Sequence, residues 1–486
     1  MKSPHEVIFV HEGKHGDPGA PIGLLPMGLL SMADWLEQQG HRARIVHHAI
    51  ERALDPDFDV CAYIDSRGPR LVCLDLHWHQ QSPGVIDLAG RIKEALPSIR
   101  VVLGGYTASA FAGEIMERFA FIDFVIRGDG EQALARLVRE IDGGTLERVP
   151  NLTYREGGRV LESPETHVNS ADDLGRYSFT SFHLLRHAEV YNQAGMMEGR
   201  IGTGAQREPG IFYCNLGRGC PYDCLFCGGS SRAQRMMSGR TACVYRPVEA
   251  MIRDLARMRE NNLDTWYNTF HPSPDESRFL ELFERIREER IRISMIHECL
   301  HIPSEAFIEQ FASTFGEKSR MDFVLLSGSE DLRRRNKENF FGNAELLDCL
   351  GRLHRRGIDA DLCFLTGLPH EQRSHVDESI AFVHEARKRH PQVGVNAEVL
   401  AIEPLSTMSL EPETCGIQAH ARTFLDYVHG HAEPGFVGYT PGSYDAAEAS
   451  RLARSITRTR SRRREGALVQ LHDVSLWDDV MSRSYG

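Results

Sequence analysis

The chain has 486 residues, 41% hydrophobic and 26% charged, with a formal net charge of −12. That length accommodates domains of ordinary size, ~100–200 residues each, and the composition is that of a water-soluble globular protein. The acidic balance argues against nucleic acid as a partner. No apolar run approaches the ~18–20 residues of a membrane span, no cleavable leader is visible, and the expected compartment is the cytoplasm.

Residues 1–145 alternate short apolar runs with amphipathic helical patterns. "EVIFVHE" (6–12), "RARIVHH" (42–48), "RLVCLDL" (70–76), "IRVVLGG" (99–105) and "IDFVIRG" (122–128) read as strands. Helical patterns at 28–41, 84–97 and 131–141 fall between or after them. This alternation predicts an α/β fold, a doubly wound Rossmann-like parallel sheet with helices on both faces. Ligands of such sheets sit beyond the carboxyl ends of the strands. Residues 146–208 are less regular: a hairpin turning at Gly157–Gly158, then a linker, with a glycine-rich loop or lid near 195–210.

Alternation resumes over 209–410. Strands are expected at 211–216, 265–270, 292–298, 321–326, 360–367 and 393–400, with helices such as 248–262 and 343–357 between them. Six such units predict a partial (β/α)6 barrel whose chemistry lies at the strand carboxyl ends. Residues 411–486 read as a helical C-terminal appendage containing the basic run 455–464, a solvated helix end or a site for an acidic partner.

Most of the 11 cysteines stand singly in apolar runs, as core hydrophobes do. Cys220, Cys224 and Cys227 do not. In "NLGRGCPYDCLFCGG" (215–229) they form a CxxxCxxC array in the loop after a strand. Cubane iron–sulfur clusters are held by thiolates. Three thiolates in one loop can hold three irons and leave a fourth open to a chelating small molecule. A structural zinc site would want four ligands, and no second CxxC pair exists.

The motif, including Phe226, resembles that of the radical S-adenosylmethionine (SAM) superfamily. "RGCPYDCLFC" is similar to the form found in its cobalamin-binding branch. The resemblance implies a [4Fe–4S] cluster on Cys220, Cys224 and Cys227, with SAM on the open iron. It places SAM near Phe226, Gly228, Gly229, Ser327, Ser329, Glu330, Thr366 and Glu371. "VLLSGSEDL" carries Leu326 where relatives often have Glu. Only Pro272 of "YNTFHPSP" matches their Gly-Gly-Glu-Pro. Residues 1–145 resemble the cobalamin domain of the same enzymes, implying contacts from Pro21, Gly23, His77, Trp78, His79, Gly104, Gly105, Tyr106, Gly128, Asp129, Gly130 and Glu131. The Asp-x-His-x-x-Gly signature is absent, so base-off cobalamin without a histidine from 11–19 on cobalt is expected.

The resemblance implies a cobalamin-dependent radical SAM C-methyltransferase. It would act on an unactivated carbon of a small-molecule or peptide substrate through methylcobalamin and a 5'-deoxyadenosyl radical, with an external reductant of flavodoxin or ferredoxin type. Alternatives are a non-methylating rearrangement or cyclisation, and a non-catalytic cobalamin or cluster sensor. A tRNA methylthiotransferase would need a second cysteine triad, which Cys61 and Cys73 do not supply. Tyr267, His271, His297 and Glu298 fall near strand ends and are the candidates to face substrate.

Overall fold

A computed structural model describes residues 6–13, 27–189, 210–433 and 435–457. Pro21, Gly23, residues 195–209 and 458–464 of the basic run lie outside the described residues.

The first sheet holds five parallel strands: β1 (Val7–His11), β2 (Ala43–His47), β3 (Leu71–Asp75), β4 (Arg100–Gly104) and β5 (Phe124–Ile126), in the order β2-β1-β3-β4-β5. β1 and β3 are buried along their whole length, as strands covered on both faces must be. The order reverses between β1 and β3. That switch point opens a crevice at their carboxyl ends. The hairpin expected at Gly157–Gly158 is present, with both glycines at positive φ. Its strands, β6 (Leu152–Glu156) and β7 (Arg159–Glu162), do not belong to a linker. β6 pairs antiparallel with β5 and extends the first sheet to seven strands.

The segment after the hairpin joins the two halves by polar contacts. Ser178 N and Ser181 Oγ donate to Asp34, at 2.9 and 2.6 Å. Ser178 Oγ and Thr180 Oγ1 donate to Asp254, at 3.0 and 2.7 Å. Asp34 belongs to the helix Met27–Gln38 and Asp254 to the helix Val248–Glu260. One buried segment thus satisfies a buried carboxylate from each domain.

The second sheet begins at β8 (Ile211–Tyr213). A short antiparallel pair, β9 (Gly217–Arg218) and β10 (Val244–Tyr245), flanks the cysteine loop. Then follow β11 (Thr265–Asn268), β12 (Ser294–Cys299), β13 (Arg320–Leu326), β14 (Asp359–Thr366) and β15 (Gly394–Val399). All are parallel, in the order β8-β11-β12-β13-β14-β15, the partial barrel expected. Phe212, Trp266, Met295 and Phe323 pack into the apolar layer beneath the helices.

The helical C-terminal region is packed against the rest of the chain. It contains a small antiparallel pair, β16 (Gln418–Ala419) and β17 (Tyr439–Thr440), and its helices pack into both domains. Phe424, heading the helix Phe424–Gly430, meets Phe111 and Phe119 of the first domain with ring centroids 5.8 and 6.0 Å away. The helix Ala446–Thr457 buries Ala449, Leu452 and Ile456 in the core shared with β14 and β15. Among the described residues no helix is long and apolar enough to cross a membrane.

Candidate active site

The cysteine loop is held at both ends of its motif. Leu225 N donates to Asn336 O at 3.0 Å, Met408 N to Leu225 O at 3.0 Å, and Ser231 N to Tyr222 O at 2.8 Å. Phe226 packs against the apolar cluster that contains Leu326, Leu368, Ile402 and Met408. A Cβ on Gly228 would lie 2.7 Å from Pro404 O, so only glycine lets the loop close against the segment after β15. Burial pushes the Cys220 thiol up to about 11 and Cys227 up to about 12, and repulsion among the three thiolates adds to it. Three soft donors that disfavour one another's ionised form fit a cationic iron cluster.

At the expected SAM edge, β13 carries a bulge between Val324 and Leu326, and Leu326 sits at φ 72°. A left-handed non-glycine residue at a strand end is costly backbone of the kind found at ligand clamps. Around it the turn is fixed. Gly328 N donates to Ser379 Oγ at 2.8 Å, Ser327 Oγ lies 3.1 Å from the same oxygen, and Ser329 N donates to Ser327 Oγ at 3.2 Å. Glu330 Oε1 accepts from Asn343 N at 2.7 Å. Thr366 and Glu371 are both hydrogen-bonded at the end of β14. Thr366 Oγ1 donates to Ala449 O at 3.0 Å, and Glu371 accepts from Gly367 N at 2.6 Å and from Tyr444 Oη. These bonds tie the C-terminal helix region to the end of β14, at the strand end where the pair is expected.

The inner face of the barrel separates the four candidate substrate residues. Tyr267 Oη donates to Glu298 Oε1 at 2.8 Å and lies 3.4 Å from Asp322 Oδ2, linking β11, β12 and β13. His297, one residue from Glu298 on β12, points to the opposite face because strand side chains alternate. It lies 3.2 Å from His271, and both pack among Phe279 and Phe307. Burial pushes His271 down to about 3 and His297 well below its ordinary value, so both are neutral. His271 and His297 are therefore core residues on the helix side.

At the carboxyl edge of the first sheet, Gly105 stands at φ 103°, and a Cβ there would meet the His77 backbone at 2.9 Å. Thr107 Oγ1 donates to His77 O at 3.0 Å, which pins the His77–His79 loop to the end of β4. The structure sorts that loop. His77 is exposed, Trp78 is half-buried beside His11, and His79 is buried against the C-terminal segment. His79 Nδ1 lies 2.6 Å from His431 Nε2, and its Nε2 lies 3.5 Å from Glu403. His11 Nδ1 contacts Asp75 at 2.8 and 2.9 Å. Among the described residues, His11 Nε2 and Tyr106 Oη are buried without a hydrogen-bond partner. Orphaned polar atoms at a switch-point crevice fit a large ligand with polar side chains, as cobalamin is.

The carboxylates of the "GDGE" motif are paired with arginines of the second domain. Arg218 donates to Asp129 Oδ1 at 2.7 Å and to Glu131 Oε1 at 2.5 Å. Asp129 also takes Arg240 and Asn169 N, and Glu131 takes Ser31 Oγ and Asn169 Nδ2. A Cβ on Gly128 would strike Ser238, and one on Gly130 would strike Met32 Sδ. These residues dock the first domain onto the cysteine loop. Arg218, His431 and Glu403 escaped the sequence reading; the one signal was a basic residue two positions before Cys220.

Comparison with known proteins agrees with this geometry. Residues 24–138 match the B12-binding domain family and residues 214–383 the radical SAM superfamily. The chain is 28% identical over 244 residues to the hopanoid C-3 methylase of Methylococcus capsulatus, spanning 49% of this chain and 41% of that protein. It is 24% identical over 370 residues to an uncharacterized methyltransferase of Pyrococcus horikoshii, spanning 74% and 72%. A Synechocystis anaerobic magnesium-protoporphyrin IX monomethyl ester cyclase is 22% identical over 59% of this chain and 56% of its own. The chain thus spans less than half the length of the hopanoid methylase. The radical SAM methyltransferase TsrM from Kitasatospora setae, solved with cobalamin and a [4Fe–4S] cluster, shares the fold. Its TM-score is 0.64 at 15% identity, covering 87% of this chain and 84% of that one.

Proposed function

Since this chain belongs to the cobalamin-binding radical SAM family, we propose that it transfers a methyl group to an unactivated carbon of a small-molecule or peptide substrate. The observation that supports this most is the docking of the "GDGE" edge of the first sheet onto the cysteine loop through Arg218. It sets the two cofactor edges toward one another. When bound, the cluster with SAM supplies a 5'-deoxyadenosyl radical, and cobalamin supplies a transferable methyl group.

The chain's own residues bind and orient. Cys220, Cys224 and Cys227 hold the cluster. Phe226, Gly228, Gly229 and the 327–330 turn bound the SAM pocket. Gly104, Gly105, Tyr106, His77 and Trp78 form the cobalamin edge. Tyr267 and Glu298, hydrogen-bonded on the inner barrel face, position the substrate. Burial raises the Tyr106 phenol, and Cys227 and Glu403 add to it, which supports a place between the two cofactors. An external one-electron reductant supplies the electron, and enclosure by the two domains excludes water.

The test is anaerobic turnover with methyl-deuterated SAM on a substrate panel. A methyltransferase gives a labelled product and S-adenosylhomocysteine together. The similarity to the cyclase favours a second reading, rearrangement or cyclisation, which gives 5'-deoxyadenosine and no labelled product.

A further inference from the structure

Lys337 is 6% exposed. Its Nζ donates to Val324 O at 2.7 Å and lies 5.2 Å from the centre of the Phe341 ring. Among the described residues no carboxylate pairs with it. A buried ammonium with a single carbonyl partner is costly unless a negative charge stands nearby. A cluster held by the neighbouring cysteine loop would supply that charge.

The chain around Lys337 brings it there. Asn336–Asn339 crosses the cysteine loop at Cys224. Leu225 N donates to Asn336 O at 3.0 Å, and Asp223 N donates to Glu338 Oε2 at 2.9 Å. The Glu338 N–H is directed at the Cys224 sulfur, and the Asn339 side chain lies 3.9 Å from it. Residues 336–339 therefore bracket one cluster ligand from a single segment, with Lys337 buried in its middle.

We infer that Lys337 is a positioning residue for electron transfer: its buried ammonium, with the Glu338 N–H, stabilises the extra electron on the cluster bound at Cys224. The inference rests on the cluster reading above. Reduction takes one electron from the external reductant and adds one negative charge. No bond forms and no proton moves at Lys337. Net charge and hydrogen bonds to the sulfurs are the terms that set such potentials.

The experiment is a redox titration of the reconstituted full-length chain without SAM, followed by electron paramagnetic resonance of the reduced cluster. Lys337→Met keeps a flexible apolar stem and removes the charge. At the wild-type midpoint, its reduced-to-oxidised ratio should fall about tenfold, a shift of about 59 mV for one electron. Lys337→Arg should keep the wild-type midpoint. Full iron content with an unchanged midpoint in Lys337→Met would overturn the inference. Should Lys337→Met lose iron, Lys337→Arg decides: a wild-type midpoint supports the role of charge, and a tenfold fall in the ratio overturns it. A wild-type chain that takes up no iron would instead sink the cluster reading itself.

Discussion

Arg218 Nη2 donates to Glu131 Oε1 at 2.5 Å, joining the residue two positions before Cys220 to the first turn of a helix in the other domain. Burial pushes the Glu131 carboxyl up, but Arg218 and Ser31 outweigh it and hold it well below the ordinary range. The ion pair thus ties the carboxyl edge of the first sheet to the segment that leads into the cysteine loop.

Arg218→Leu should leave two buried carboxylates with fewer partners and cost about 3–5 kcal/mol. Chemical denaturation, with cobalamin retention on gel filtration, measures both effects. Glu131 adds an acid dependence. Its folded pKa is depressed, so its stabilisation is present above the unfolded value of about 4.5 and is lost as pH falls through the folded one. Glu131→Gln should flatten that acid limb. An unchanged limb would remove Glu131 from the coupling.

Glu371 carries the opposite sign. Burial pushes it up to about 7, against its bonds from Tyr444 and Gly367. Its folded pKa exceeds the unfolded value, so stability is greatest below about 4.5 and declines as pH rises toward 7. Relative to wild type, Glu371→Gln should therefore gain stability between those limits, up to about 3 kcal/mol at ~1.4 kcal/mol per pH unit. Thermal unfolding at pH 5 and pH 7.5 gives the comparison. Equal differences at the two pH values would contradict the assignment.

Replacing Cys220, Cys224 and Cys227 together by Ala should remove the four irons and four sulfides expected after anaerobic reconstitution. SAM cleavage should go with them. Retention of bound iron in the triple variant would place the cluster elsewhere.

Trp78 is half-buried at the switch-point crevice, between His77 and His11. As cover for the lower face of the corrin it would exclude water from cobalt. Trp78→Ala should then move the Co(II) spectrum toward five-coordinate and slow cobalamin re-methylation more than SAM cleavage. Cluster content and thermal stability of the same variant control for the cost of a large-to-small change, about 3–5 kcal/mol when the tryptophan is fully buried. An unchanged spectrum in a stable, cobalamin-loaded variant would leave the loop a merely structural part.

Much of the architecture was legible because strand and helix periodicity survive in the chain: all five parallel strands of the first sheet and all six of the barrel lie where apolar runs predict them. Side-chain destinations were less so. His297 and Glu298 are sequence neighbours with equal claims, and only the placement of β12 sends one to the helices and the other inward. "GDGE" reads as a ligand turn, but its carboxylates are claimed by Arg218 and Arg240, more than 85 residues away. His79 with His431 spans 352 residues. Such pairs leave no local pattern, because their chemistry is completed only by domain packing.

The most direct measurement needs no substrate. The fully loaded protein is reduced anaerobically with methyl-deuterated SAM, and small molecules and corrin are analysed by mass spectrometry. The account predicts S-adenosylhomocysteine, deuterated methyl on the corrin, and 5'-deoxyadenosine from the same sample. 5'-Deoxyadenosine without S-adenosylhomocysteine or labelled corrin would contradict methyl transfer.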